Sequence, residues 1–179
     1  MLKVTIPGIE TYDERNDLFI STKEQTIALE HSLLSISKWE AKWHKPYLAS
    51  SEKTNEEMID YIRCMTVTPN VDPNIYYGLT NDIYKKVSDY INDPMTATTL
   101  SKSKGQAVGQ KEIITSEIIY YWMITCDIPF ECEKWHLNRL LMLIQVCDRK
   151  NAPSQKMSKK DIFSQNRALN KARKSRPHK

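Results

Sequence analysis

The chain predicts a mainly α fold: a helical bundle around a central helical hairpin, with a small N-terminal β element and a basic C-terminal helix. Three observations predict it. From Glu112 to Cys147 apolar residues recur at helical spacing. Ile114, Ile118, Tyr121 and Thr125, widened by Trp122, form a first stripe, and Leu137, Leu140, Leu141, Ile144 and Cys147 form a second. Asp127-Ile128-Pro129-Phe130 separates them, as the turn of a helical hairpin would. Only 4 glycines occur in 179 residues, which argues against tight β-turns and phosphate loops, and so against a β-barrel or a nucleotide-binding α/β fold. Ile119, Met123, Met142, Leu143 and Val146 fall outside the two stripes, so both helices are expected to be central and packed on two sides.

In chain order, Leu2, Val4 and Ile6 alternate and predict a short strand before Pro7-Gly8. Residues 10 to 17 read as a polar loop. Phe19-Ile20 and then Thr26 to His31 read as extended. Thr22-x-x-Gln25 also fits a capping box, but the alternation at Ile27 and Leu29 favours strand. Ser32 is the N-cap of a helix through Trp43, stopped by Lys45-Pro46. Thr54-x-x-Glu57 is a capping box ahead of Met58, Ile59, Ile62 and Met65. Asp72-Pro73 predicts a two-turn helix ending at Gly78. Thr80 or Asn81 opens a helix with Ile83, Val87, Tyr90 and Ile91 inward, closed by Asn92-Asp93-Pro94. Ser101 to Gly109 lacks periodicity and reads as a loop. The two hairpin helices follow, the second from Glu133 to Cys147. After Asn151-Ala152-Pro153, Ser158-x-x-Asp161 caps a last helix to about Lys174, with a thin apolar side of Ile162, Phe163 and Leu169. The expected division is a helical domain over 1–150 and a basic arm over 151–179.

Composition bounds the function. An apolar share of 40% and a charged share of 27% are ordinary for a globular protein. The longest uninterrupted apolar run, Leu140 to Ile144, is too short to span a bilayer, and no N-terminal leader is visible, so a cytosolic protein without a membrane partner is expected. The four cysteines show no Cys-x-x-Cys pair and read as reduced thiols. Cys126, Cys132 and His136 match no common zinc spacing. The segment from Asp148 to Lys179 holds eleven lysines and arginines against two aspartates, so a basic tail follows an acidic-leaning body.

Few constellations carry chemistry. Trp39 and Trp43 sit four residues apart, either as an exposed aromatic anchor or as core flanked by lysines. His136 lacks an orienting carboxylate placed by any motif and reads as a hydrogen-bonded histidine near a helix start. No nucleophile elbow, zinc-protease motif or P-loop occurs, so neither catalysis nor a cofactor is expected. The tail could contact phosphates, but with Phe163 its one interleaved aromatic it provides little for base stacking.

Several strings occur together: Leu29-Glu30-His31-Ser32-Leu33-Leu34-Ser35-Ile36-Ser37-Lys38-Trp39-Glu40 with Lys42-Trp43 and Lys45-Pro46; Asp60 to Thr66; Met95-Thr96-Ala97-Thr98; Ile118 to Met123; Ile128-Pro129-Phe130-Glu131-Cys132; Trp135 to Leu141; Asn151-Ala152-Pro153 with Lys156-Met157-Ser158; and Asn166 to Asn170. With them the chain, from about Ile27 to Arg173, resembles the tail assembly chaperones of tailed bacteriophages. The resemblance implies a non-enzymatic protein of the host cytoplasm. It would bind the tape-measure protein, keep its apolar helices soluble and help recruit tail-tube subunits. Self-association stays open. Partner contacts are expected at Trp39, Trp43, Tyr47, Tyr76 and Tyr77, and on the basic arm at Lys159, Lys160, Arg167, Lys171 and Arg173. The alternatives are a structural virion subunit of the tail or head–tail connector, and a nucleic-acid-binding phage protein acting through the arm.

Overall fold

The computed structural model describes residues 1–13, 17–49, 52–99, 113–151, 163–164 and 166–167. The chain divides into two compact units, Met1–Asp148 and Arg149–Lys179. The first is mainly helical with two small sheets, in the order β1 (Leu2–Ile6), β2 (Glu10–Asp13), β3 (Leu18–Ser21), β4 (Gln25–Leu29), α1 (Leu33–Trp43), α2 (Asn55–Met65), α3 (Asn81–Asn92) and α4 (Ser116–Thr125). Helix α5 (Leu137–Asn151) follows, and short 3-10 turns cover Ile75–Gly78 and Phe130–Lys134. Of the expected helix over 158–174, Phe163, Ser164, Asn166 and Arg167 are helical and the rest lies outside the described residues, as does the expected loop at 101–109.

β1 and β4 pair antiparallel, with Val4 opposite Ile27, and alternation sends Val4, Ile6, Ile27 and Leu29 into the core. The other edge of β4 is also occupied. The Ala28 carbonyl accepts the Val67 N–H, its N–H donates to Thr68 Oγ1, and the Glu30 N–H donates to the Met65 carbonyl. Of the expected polar loop at 10–17, Glu10–Asp13 is instead strand, and 14–16 lie outside the described residues: β2 pairs with β3, Tyr12 opposite Phe19 and Thr11 opposite Ile20. A strand of Glu, Thr, Tyr and Asp carries no buried alternation to betray it. Pairing with Leu18–Ser21 defines it, and on β3 only Ile20 is seen to be buried. Gly8 lets the two sheets meet, since a Cβ there would lie 2.5 Å from the Thr22 carbonyl oxygen.

The caps expected at Ser32, Thr54 and Thr80 form. Ser32 and Ser35 exchange a capping box at the start of α1, Thr54 and Glu57 do so at α2, and Thr80 caps α3. His44 ends α1 in the left-handed region, at φ 52°. Asp72-Pro73 does not open a regular helix. Asp72 accepts the Asn74 N–H, and only the 3-10 turn at Ile75–Gly78 follows.

Helix α4 turns a different face inward from the one expected. Ser116, Ile119 and Met123 are buried, Ile114, Ile118 and Trp122 are half-buried, and Tyr121 and Thr125 are exposed. A helix apolar around most of its circumference has no periodic asymmetry from which to choose a face. α5 starts at Leu137 rather than Glu133, because Phe130–Lys134 forms a 3-10 turn, and it buries Leu137, Leu140 and Ile144 as expected. Close backbone packing gathers on α1, which meets α2, α4 and the Phe130–Lys134 turn, and on β1, rather than on a pairing of α4 with α5.

Candidate functional site

The most elaborate side-chain arrangement surrounds the start of α1. Ser32 and His136 form an isolated bridge, and the Leu137 N–H donates to the His31 carbonyl, so the chain enters α1 and α5 side by side. The His136 Nε2–H donates to the Tyr90 carbonyl at 2.9 Å, and its Nδ1 accepts the Asn138 N–H at 3.3 Å, which fixes the tautomer. Asn138 Nδ2 donates to the carbonyls of Ile91 and Asp93, closing the C-terminus of α3. The His31 ring lies edge-on to His136 at 5.1 Å, and its Nδ1 bonds the Tyr61 hydroxyl at 2.5 Å. Burial, helped by the neighbouring His136, holds His31 far below the usual imidazole range, at about 3. Burial likewise pushes the Tyr61 and Tyr47 hydroxyls upward.

Around this floor opens a cleft of about 750 Å³, lined by the start of α1, the end of α2, Tyr90 and the Lys134–Arg139 segment. Lys38, Lys134 and Arg139 are exposed on it and form no ion pair among the described residues. The Arg139 guanidinium sits over the Trp135 ring at 4.3 Å. The single acid of the lining, Glu30, already accepts the Tyr90 hydroxyl at 2.7 Å and pairs with the amino terminus at 3.0 Å. The cleft is therefore basic with an apolar lining, which includes Leu34 and Met65. It holds no acid–base pair. Both His136 nitrogens are bonded to backbone groups, and Glu133, a candidate to orient it, accepts the Tyr120 hydroxyl instead.

The predicted aromatic anchors are divided by the structure. Trp39 is 1% exposed, donates its indole N–H to the Glu57 carbonyl and meets Tyr47 edge-on at 5.2 Å. Tyr47 stacks on Tyr61 at 3.9 Å, and Tyr76 is buried with its hydroxyl on Thr66. These three are core, which corrects the expectation of exposed anchors there: ring packing covers Trp39 and Tyr47, and the polar atoms of Trp39 and Tyr76 are answered within the chain by the Glu57 carbonyl and the Thr66 hydroxyl. Trp43 is half-buried, its indole N–H on Asp60 and the cations of Lys42 and Lys45 near its ring. Tyr77 alone of the five is exposed. Arg167 lies on an exposed helical turn, and Lys159, Lys160, Lys171 and Arg173 lie outside the described residues.

Sequence reasoning missed the aromatic and aliphatic residues that do face solvent. On α4, Tyr121 and Ile124 are 63% and 60% exposed, with Glu117 one turn earlier, Ile113 just ahead of the helix and Phe130 just beyond it, all exposed. The signal available was the surplus of apolar residues on α4, more than one buried face can hold. The cysteines are free thiols, and among the described residues no three His, Cys, Asp or Glu side chains converge as metal ligands. No helix among them is long and apolar enough to cross a membrane.

Comparison with known proteins adds no relative: no family model, no curated protein and no solved structure matches the chain.

Proposed function

We propose that this chain is a non-enzymatic bacteriophage tail assembly chaperone of the host cytoplasm, which binds apolar helices of the tape-measure protein and hands them to tail-tube subunits. The observation that carries the reading is the exposed pair Tyr121 and Ile124 on α4, with Ile113 and Phe130 also exposed beyond the two ends of the helix. A helix that presents apolar side chains at i and i+3 to solvent, with one acid nearby, is the surface against which a second amphipathic helix packs. The buried histidine–tyrosine floor supports the non-catalytic half of the proposal. Its groups are committed to holding α1, α3 and α5 together, leaving none aligned to move a proton.

The test is co-expression with the tape-measure protein. The soluble fraction of that protein should rise with this chain and fall back when the chain carries Tyr121→Ser and Ile124→Ser together. Equal solubility of the tape-measure protein with and without this chain sinks the reading. Recovery of the chain as a stoichiometric component of purified particles would instead make it a virion subunit.

A further inference from the structure

Two surfaces of the first unit are opposite in charge, and both carry apolar side chains. The β2–β3 hairpin pairs Tyr12 directly with Phe19, so both rings stand on one face, 54% and 63% exposed. The next residue, Ile20, points the other way and is buried. Among the described residues the hairpin pairs with no third strand, and a lone two-stranded hairpin is marginal in water. Its acids with described side chains are Glu10, two residues before Tyr12 on the same strand, and Asp17, which accepts the Tyr12 hydroxyl. The cleft offers the converse: Lys38, Lys134 and Arg139, without ion pairs among the described residues, beside Leu34, Met65 and Trp135, in a volume of about 750 Å³ that can admit two aromatic rings.

We propose that the β2–β3 hairpin of one copy docks in the basic cleft of a second copy, with Tyr12 and Phe19 against the apolar lining and Glu10 and Asp17 against Lys38, Lys134 and Arg139. The two surfaces differ, so the contact is heterologous. Each added copy leaves one hairpin free at one end and one cleft free at the other, and the assembly grows head to tail as a ring or an open array. The inference does not depend on the tail-assembly reading, since it uses only this chain.

Sedimentation velocity of the full chain, at concentrations up to about 1 mM, tests it, because a contact this small is expected to be weak. The mass should climb past that of a dimer with concentration, and added salt should reverse the climb, as screening of charge complementarity requires. A hairpin variant, Tyr12→Ser with Phe19→Ser, and a cleft variant, Lys134→Glu with Arg139→Glu, should each stay monomeric with unchanged far-ultraviolet circular dichroism. These side chains are exposed or lie at the cleft rim, so folding should survive. Mixed together, the two variants retain one working hairpin and one working cleft, and should form a 1:1 heterodimer that grows no further. A wild-type chain that remains monomeric throughout overturns the proposal. So does self-association that both variants retain. Mixed variants that stay apart while an unrelated acidic aromatic peptide fills the wild-type cleft would assign the cleft to a foreign partner and likewise overturn it.

Discussion

Helix α1 places Leu33, Ser35, Ile36, Trp39 and Glu40 among the buried residues, although it also carries two lysines, while α4, with one charged residue in its ten, buries only Ser116, Ile119 and Met123. The difference lies in what answers the polar groups. Glu40 is buried because Oε1 accepts the Tyr47 N–H and Oε2 accepts the Ser116 N–H, each at 2.8 Å. One carboxylate thus ties the loop after α1 and the first turn of α4 to the same helix. A second layer does the same for α2. Lys45 pairs with Glu57 at 2.5 Å, and this hydrogen bond, followed by that from the Thr54 backbone, holds the Glu57 carboxyl below its ordinary range. Burial of α1 thus follows from satisfied polar atoms as much as from apolar content, and α4 has apolar side chains left over after its own inner face is filled.

Four measurements can break or sharpen that contrast. Trp39→Ala should lose the most stability, about 3–5 kcal/mol, because a fully packed indole leaves a cavity and the Glu57 carbonyl loses its donor; urea denaturation reads it. Glu40→Ala comes next. It strips the acceptor from two buried N–H groups at about 1–3 kcal/mol each. Glu40→Gln should cost less than Glu40→Ala, since its amide oxygen can still serve one of them.

The third measurement is pH dependence. His31 protonates in the folded chain only near pH 3, but in the unfolded chain near 6.5. Between those limits the unfolded state binds more protons, so stability falls as pH falls, by about 2 kcal/mol between pH 6.5 and about 5. Well above pH 6.5 both states are neutral and this contribution is flat. The urea midpoint of His31→Gln should show a shallower acid slope than wild type; parallel slopes would show that His31 does not titrate differently on folding. The smallest effect belongs to α4: Tyr121→Ser with Ile124→Ser should leave stability within about 0.5 kcal/mol while removing partner capture. A large loss of stability there would mean that the exposed pair belongs to the core after all.

What the sequence disclosed follows from the same physics. Ser32, Thr54 and Thr80 were legible as caps because capping is local chemistry, settled within four residues. The inner face of α5 was legible because polar residues break its apolar pattern. The α4 face was not, for want of such breaks, and β2 was not, because its signal is its partner strand. Of the anchors, Trp39, Tyr47 and Tyr76 were misread because an aromatic ring suits a core and a contact surface equally well, and only the buried hydrogen-bond partners distinguish the two. The cleft joins residues from Lys38 to Arg139, about one hundred positions apart, and no motif spans such a separation.

Strand β4 is hemmed in by β1 on one side and by Val67 and Thr68 on the other. A stray strand therefore finds no vacant ladder on β4. Detachment of the short run after α2 would open that edge of β4 to a foreign strand.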